Sequence, residues 1–270
     1  RAVAGSRLPA PLAGRLWIVG VADEEYQMTG ARAIGRHGPH VDAVIIGEPT
    51  ELEICVAAKG RVSTYIVTRG RAAHSSMPEQ GVNAIIHMGR VLHRLERYGQ
   101  HLLREGPEHP LLGRPRVNPG VIRGGVQVNM VPDYCELEVD RRTLPHENRN
   151  IVYAELEGLL REVAAETPGF QAELTEPTWL IPPLETPPDH PVVQALGESI
   201  AEVLGRTAQP KGFVAGTDAA HFGSPAVLLG PGSLEQAHTT DEFVPIDDLV
   251  HATRIYLRTI IRFLSRPAAG

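Results

Sequence analysis

At 270 residues, 42% apolar and 21% charged, the chain is long enough for one large domain or two ordinary ones and can bury a core. Acids exceed bases by 32 − 26 = 6 and no basic block interrupts the sequence, which argues against non-specific nucleic-acid binding. The longest apolar run, residues 16–22, is far short of the roughly 20 residues a membrane span needs, and two cysteines, Cys55 and Cys135, build no disulfide framework, pointing to a reduced, cytoplasmic setting.

In chain order, residues 15–21 and 42–47 are short apolar, β-branched runs separated by a helix-length stretch at 29–36, the pattern of a parallel α/β sheet. The pattern then changes to strand 62–68, helix 81–98, strands 117–123 and 134–141, helix 148–167 and strand 170–175. The first of these helices carries Val82, Ile85, Ile86, Leu92 and Leu95 on one stripe, the second Val152, Leu156, Leu159, Leu160 and Val163. Strand 134–141 alternates, with Cys135, Leu137 and Val139 on one face and Glu136, Glu138 and Asp140 on the other, as an antiparallel sheet with one solvated side requires. The order β-α-β-β-α-β is the ferredoxin-like unit. Prolines 177, 182, 183, 187, 188 and 191 then read as a stiff linker. An α/β pattern returns with helix 191–205, strand 226–229 and a last helix from Pro245. The expected fold is an α/β domain in two parts, 1–59 and 177–270, with a small α+β domain at 60–176 inserted, hinged near Lys59–Gly60 and the proline stretch.

The chemistry is expected where strands end, as in open α/β sheets. Asp23, Glu24 and Glu25 follow the run 15–21; Glu48 follows 42–47; His238 lies beyond 226–229. Clustered carboxylates repel, so they need a cation or raised pKa values, and carboxylate plus imidazole ligands suit Zn²⁺. Taken singly, the same residues also read as a solvated acidic turn, a loop glutamate and a loop histidine.

Six segments in order carry a resemblance: Ala22-Asp23-Glu24-Glu25; Gly47-Glu48-Pro49-Thr50; Ala73-His74-Ser75-Ser76-Met77-Pro78 with Asn83-Ala84; Asn129-Met130-Val131-Pro132 with Asp140-Arg141-Arg142; Gly216-Thr217-Asp218-Ala219; and Ala237-His238-Thr239-Thr240-Asp241-Glu242. Together they resemble the zinc-dependent acetylornithine deacetylase / succinyl-diaminopimelate desuccinylase family, to whose broad group aminoacylases and glutamate-releasing carboxypeptidases belong, from about Gly14 to Leu264. The resemblance implies a zinc-peptidase-like α/β catalytic domain with an inserted ferredoxin-like dimerisation (lid) domain, a homodimer, and a two-zinc site (cobalt or manganese as substitutes) cleaving the amide of an N-acyl amino acid or a C-terminal amino acid. It implies Glu24 as general base, Glu25 and His238 as ligands of one zinc, and Glu48 as a ligand of the other. Asp23 would orient its neighbours rather than bind metal. His74 would stabilise the oxyanion in the partner subunit's site, against the alternative of a loop histidine capping the next helix. Asn129 would also be donated across the dimer, and Arg142 and Thr217 would hold the substrate's carboxylate; Arg141 fits that task less well. The other histidines, among them His37, His87 and His251, are expected at the surface.

The chain also departs from the family. A His-x-Asp motif and a metal-bridging Asp are expected upstream of the Asp-Glu-Glu turn, yet residues 1–22 contain no His, Asp or Glu. Residues 1–12 read as the tail of the helix and loop that would follow the bridging Asp, so an N-terminally incomplete catalytic domain, inactive alone, is expected. Alternatively the chain is a non-catalytic fragment or degraded paralogue that keeps the dimerisation fold.

Overall fold

The computed structural model describes residues 12–265; the expectation for residues 1–12 lies outside them, Leu12 apart. The chain forms two compact units, one from the described residues up to Ala58 together with those from Leu184 onward, the other Lys59–Pro183.

The first unit opens with a departure from expectation. Residues 15–21 form no strand, and Leu16, Trp17, Ile18 and Val19 are exposed, Ile18 at 90%. An apolar, β-branched run becomes a strand only where a neighbour takes its backbone hydrogen bonds, and among the described residues none pairs with this one. Helix α1 (Thr29–His37) follows, then β1 (Val44–Ile46) and β2 (Cys55–Ala58).

The second unit begins with β3 (Gly60–Arg69) and α2 (Ala84–Arg104), whose start is fixed by the Asn83 side chain accepting from the Ile86 N–H at 3.1 Å. Strands β4 (Arg116–Gly124) and β5 (Tyr134–Thr143), helix α3 (Arg149–Glu166) and strands β6 (Gln171–Leu174) and β7 (Trp179–Ile181) complete it. The sheet runs β4-β5-β3-β6, with β7 also pairing antiparallel to β3. Both helices pack on the face that carries Cys135, Leu137 and Val139, and the predicted stripe of α3 is buried in full. The predicted stripe of α2 is not: its buried face is Ala84, His87, Met88, Val91, Leu95 and Leu102, while Ile85 and Ile86 are exposed. A 3.6-residue period carries 84, 88, 91 and 95 along one line and leaves 85 and 86 beside it. His87, expected at the surface, is thereby buried with its ring 5.4 Å from that of Phe170. In β4 the register shifts between Pro119 and Val121, a bulge at a Pro-Gly step of the edge strand.

The proline stretch is not a plain linker. It holds β7, and β8 (Leu184–Glu185) pairs antiparallel with β2. The prolines lie outside the residues that must donate to these short ladders. Back in the first unit come α4 (Pro191–Leu204), β9 (Lys211–Phe213), β10 (Ala226–Leu228) and α5 (Ile246–Leu264). Its sheet runs β1-β10-β2-β8 with β9 on β2, and it is mixed rather than parallel: β1–β10 and β2–β9 are parallel, β10–β2 and β2–β8 antiparallel. Helix α1 is fastened to a short 3-10 turn, Asp218–His221, by close packing at Gly35. A Cβ there would come within 1.8 Å of the His221 carbonyl oxygen. Among the described residues no helix is long and apolar enough to cross a membrane.

Candidate active site

In the first unit the acidic turn is tied to the start of α1. The Asp23 carbonyl accepts from Met28 N–H at 2.6 Å, Gly30 N–H donates to the Ala22 carbonyl at 3.1 Å, and the Thr29 hydroxyl donates to Asp23 Oδ2 at 2.9 Å. Asp23 is held at φ 69°, the left-handed region that only glycine enters freely. Its side chain thus faces the helix and orients the turn, while Glu24 and Glu25 are presented beyond it. Gly35 passes this order on, because α1 cannot shift without moving the 217–221 segment.

Glu48 leaves the end of β1, where Gly230 allows the next strand end to approach; a Cβ on Gly230 would lie 2.4 Å from the Glu48 carbonyl oxygen. The Thr217 hydroxyl donates to Glu48 Oε1 at 2.8 Å and accepts from the Ala219 N–H at 3.3 Å. Burial pushes the Glu48 carboxyl up, Thr217 opposes that, and the charges of Asp218 and Glu25 add to the rise. Asp218 is 3% exposed with its Oδ1 lacking a hydrogen-bond partner among the described residues, and burial and the charge of Asp23 raise its pKa. The quoted motif contains Asp218, but a carboxylate between two small residues gives no sign in the sequence that it will be buried.

Glu24 is half-buried among these acids. Its carboxyl is raised to about 7, first by burial, then by Glu48, Glu25 and Asp218, with His238 pulling it back. His238 stands in the loop after the 3-10 turn Leu234–Gln236, at φ 64°, its N–H donating to Glu242 Oε2 at 3.1 Å. Its Nε2 lies 3.5 Å from Glu25 Oε2. Left-handed backbone at both Asp23 and His238 is strain at the two loops that present the acid turn and the imidazole.

Glu25 and His238 therefore meet, and their carboxylate–imidazole donor set is of the type zinc takes. The pair fits part of a metal site only. Among the described residues no group of three or more His, Cys, Asp or Glu side chains could hold a metal ion. The remaining residues, 1–11 and 266–270, contain none of these four types.

The second unit brings His74 and Asn129 together. Ser75 N–H donates to the Asn129 carbonyl at 3.0 Å, and His74 forms an isolated antiparallel bridge with Met130. Arg142 stands at the far end of β5 from these loops. Its guanidinium is pinned through Nε to Asp140 Oδ1 at 2.9 Å and Nη2 to Oδ2 at 3.3 Å. The same carboxylate takes Arg61 Nε at 2.8 Å, and Arg61 lies 4.2 Å over the Trp179 ring. Arg141 points the other way into the core, fully buried, with Nη2 2.5 Å from Glu147 Oε1, Nε donating to the Tyr98 hydroxyl at 2.8 Å, and Glu155 at 3.3 Å. The period of a strand sends 141 and 142 to opposite faces, so one arginine holds the fold and the other faces solvent.

An α/β unit interrupted by a ferredoxin-like insert is an architecture of the metallopeptidase kind. The comparisons agree. Residues 56–168 match the peptidase dimerisation domain. The chain is 34% identical to an acetylornithine deacetylase of Myxococcus xanthus, covering 97% of this chain and 67% of that protein, and 34% identical to an acetylornithine deacetylase of Vibrio cholerae, covering 92% and 65%. In structure it is similar to an aminopeptidase PepT from Bacillus cereus, with TM-score 0.73, 26% identity, and coverage of 90% of this chain and 62% of that one. The M20 family metallo-carboxypeptidase Sso-CP2 from Sulfolobus solfataricus shares the fold, with TM-score 0.67 at 19% identity over 88% and 67% of the two chains. The chain belongs to the M20 metallopeptidase family. It spans about two thirds of the length of the curated relatives it matches.

Proposed function

We propose that this chain carries the base, part of the metal-binding set and the substrate-holding groups of an enzyme that hydrolyses the amide of N-acyl amino acids, of the deacetylase type named for its relatives. The observation that carries this reading is the half-buried Glu24 beside the Glu25–His238 pair, whose Oε2 and Nε2 lie 3.5 Å apart: a carboxylate outside that pair is placed to take a proton from water. Glu25 and His238 would hold one zinc ion, and Glu48, oriented by Thr217, would contribute to a second. A bound zinc supplies the lowered pKa of water, about 7, and polarisation of the scissile carbonyl. Glu24 then accepts the proton of the attacking water and hands it to the leaving amine. Arg142, pinned by Asp140 at one edge, keeps its other edge for the substrate's carboxylate. His74 and Asn129 act from the second unit, in a homodimer across the partner's site, with His74 donating to the tetrahedral oxyanion.

The test is a panel of N-acyl amino acids assayed with zinc on the active enzyme and on Glu24→Gln. The variant keeps size and ligands but loses the base, so the rate should fall by about 10²–10⁴-fold with metal content unchanged. Zinc lost and activity kept would reverse the roles of Glu24 and Glu25. Absence of turnover on every substrate by the unaltered enzyme would favour a non-catalytic chain.

A further inference from the structure

The turn that carries His74 has a feature that its assigned task does not require. His74 Nδ1 lies 2.8 Å from Ser76 Oγ and 3.2 Å from Ser76 N, whose N–H points at it. A backbone N–H has a proton to give and no lone pair to receive one. The imidazole nitrogen facing it must therefore be the bare, accepting one, and the ring's single proton in the neutral form sits on Nε2. With Nδ1 accepting, the Ser76 hydroxyl at 2.8 Å can only donate to it as well. Resting on the reading of His74 as the oxyanion donor, we infer that Ser76 is a positioning residue that locks His74 into the Nε2–H tautomer and turns that N–H outward.

The surroundings support a fixed geometry. Met77 N–H returns to the His74 carbonyl at 2.9 Å, Ser75 N–H to Asn129 at 3.0 Å, and Val131 N–H to Ala73 at 2.8 Å. A 3-10 turn starting at Pro78 closes the segment. Both backbone arms of the loop are held, so the ring orientation is set by its own contact with Ser76. Among the described residues Nε2 has no partner, and His74 is exposed. An N–H with nothing to bond in its own unit is available to an incoming oxygen. The other tautomer would present a lone pair to a negatively charged oxygen, and the two would repel. Unassisted, a neutral imidazole places its proton on either nitrogen, and the partner at one nitrogen decides.

The experiment is long-range ¹⁵N–¹H correlation on the full 270-residue chain with labelled histidine, at about pH 8.5, where an ordinary imidazole (pKa about 6.5) is neutral. The expected spectrum for His74, assigned by its loss in His74→Gln, has a bare-type Nδ1 and a protonated-type Nε2. In Ser76→Ala, which removes the hydroxyl but keeps the backbone N–H on Nδ1, both shifts should move part of the way toward the average of the two tautomers; in Ser76→Thr, which restores the hydroxyl, they should return. A protonated-type Nδ1 in the unaltered chain overturns the inference, and so does a Ser76→Ala spectrum identical to it. The oxyanion reading fails separately: the spectrum as expected, with His74→Gln retaining full turnover in the active enzyme, would remove the catalytic role and leave the tautomer lock.

Discussion

The Thr217 hydroxyl donates its only proton to Glu48 Oε1 at 2.8 Å, from a side chain that is itself 1% exposed. That bond counters the burial and like charge acting on Glu48. Thr217→Val keeps the shape and removes the proton. The Glu48 pKa should then rise further, read by ¹³C-detected titration of the carboxyls. Stability should fall by about 1–3 kcal/mol, the cost of leaving a buried acceptor without its donor, measured by urea unfolding at neutral pH. An unchanged Glu48 titration would show that the Thr217 hydroxyl does not bond Glu48 in solution.

Glu24 makes the metal-free chain's stability depend on pH. Its ordinary value of 4.5 rises to about 7 in the fold. Between these values the folded state holds a proton that the unfolded state releases, so the stabilising protonated form is fully present below 4.5 and is lost as pH rises through about 7. Glu24→Gln removes this dependence. The variant should gain stability relative to the unaltered chain between pH 4.5 and pH 8, seen as a widening difference in Tm. A constant difference across that range would place the Glu24 carboxyl in open water.

The two neighbouring arginines should separate stability from recognition. Arg141 is fully buried against Glu147, which is 4% exposed. Arg141→Leu leaves that carboxylate uncompensated and should cost about 3–5 kcal/mol. Arg142 is 32% exposed and its pair with Asp140 is partly solvated, so Arg142→Ala should cost no more than about 1 kcal/mol while raising KM for carboxylate-bearing substrates. Denaturant unfolding beside steady-state kinetics distinguishes the two; equal stability losses would refute the division.

The dimerisation domain presents Ile122, Val126, Val128 and Met130 to solvent, Val128 completely, along and just beyond the edge strand β4. Apolar groups gathered at a sheet edge mark a surface that pairs. Sedimentation at micromolar concentration should show a dimer, and Val126→Asp with Val128→Asp should shift it toward monomer by burying two charges in the interface. A monomeric unaltered chain would remove the trans role of His74 and Asn129.

Much of this was legible in the residues, and the losses have physical causes. Alternation in β5 and the 3.6-residue period of α3 gave the second unit, because each reports which side of a single element is buried. In α2 the same logic misplaced Ile85 and Ile86, since the sheet beneath selects the line through Ala84, Met88 and Val91 and the two isoleucines flank it. Strands β2, β7, β8 and β9 went unread: they are two to four residues long and exist through partners distant in sequence. The run 15–21 erred the other way, having strand composition without a partner. At the site, Glu24, Glu25, Glu48 and His238 stood out as acids and an imidazole beyond apolar runs. Asp218 and Ser76 did not, because one acts through burial and the other through a contact two residues back along its own turn.

The bulge at Pro119–Gly120 has a consequence for what β4 admits. Proline lacks the N–H that an incoming strand would accept from, and the register slip rotates the residues before it relative to those after it. The outer rim of the sheet is therefore broken into two short stretches, and only Val121–Gly124, about 13 Å at roughly 3.3 Å per residue, offers an uninterrupted row. A matching short segment can zip onto that row and then must stop. Open-ended stacking of sheet upon sheet, the hazard of a long flat rim, is checked by one imino acid.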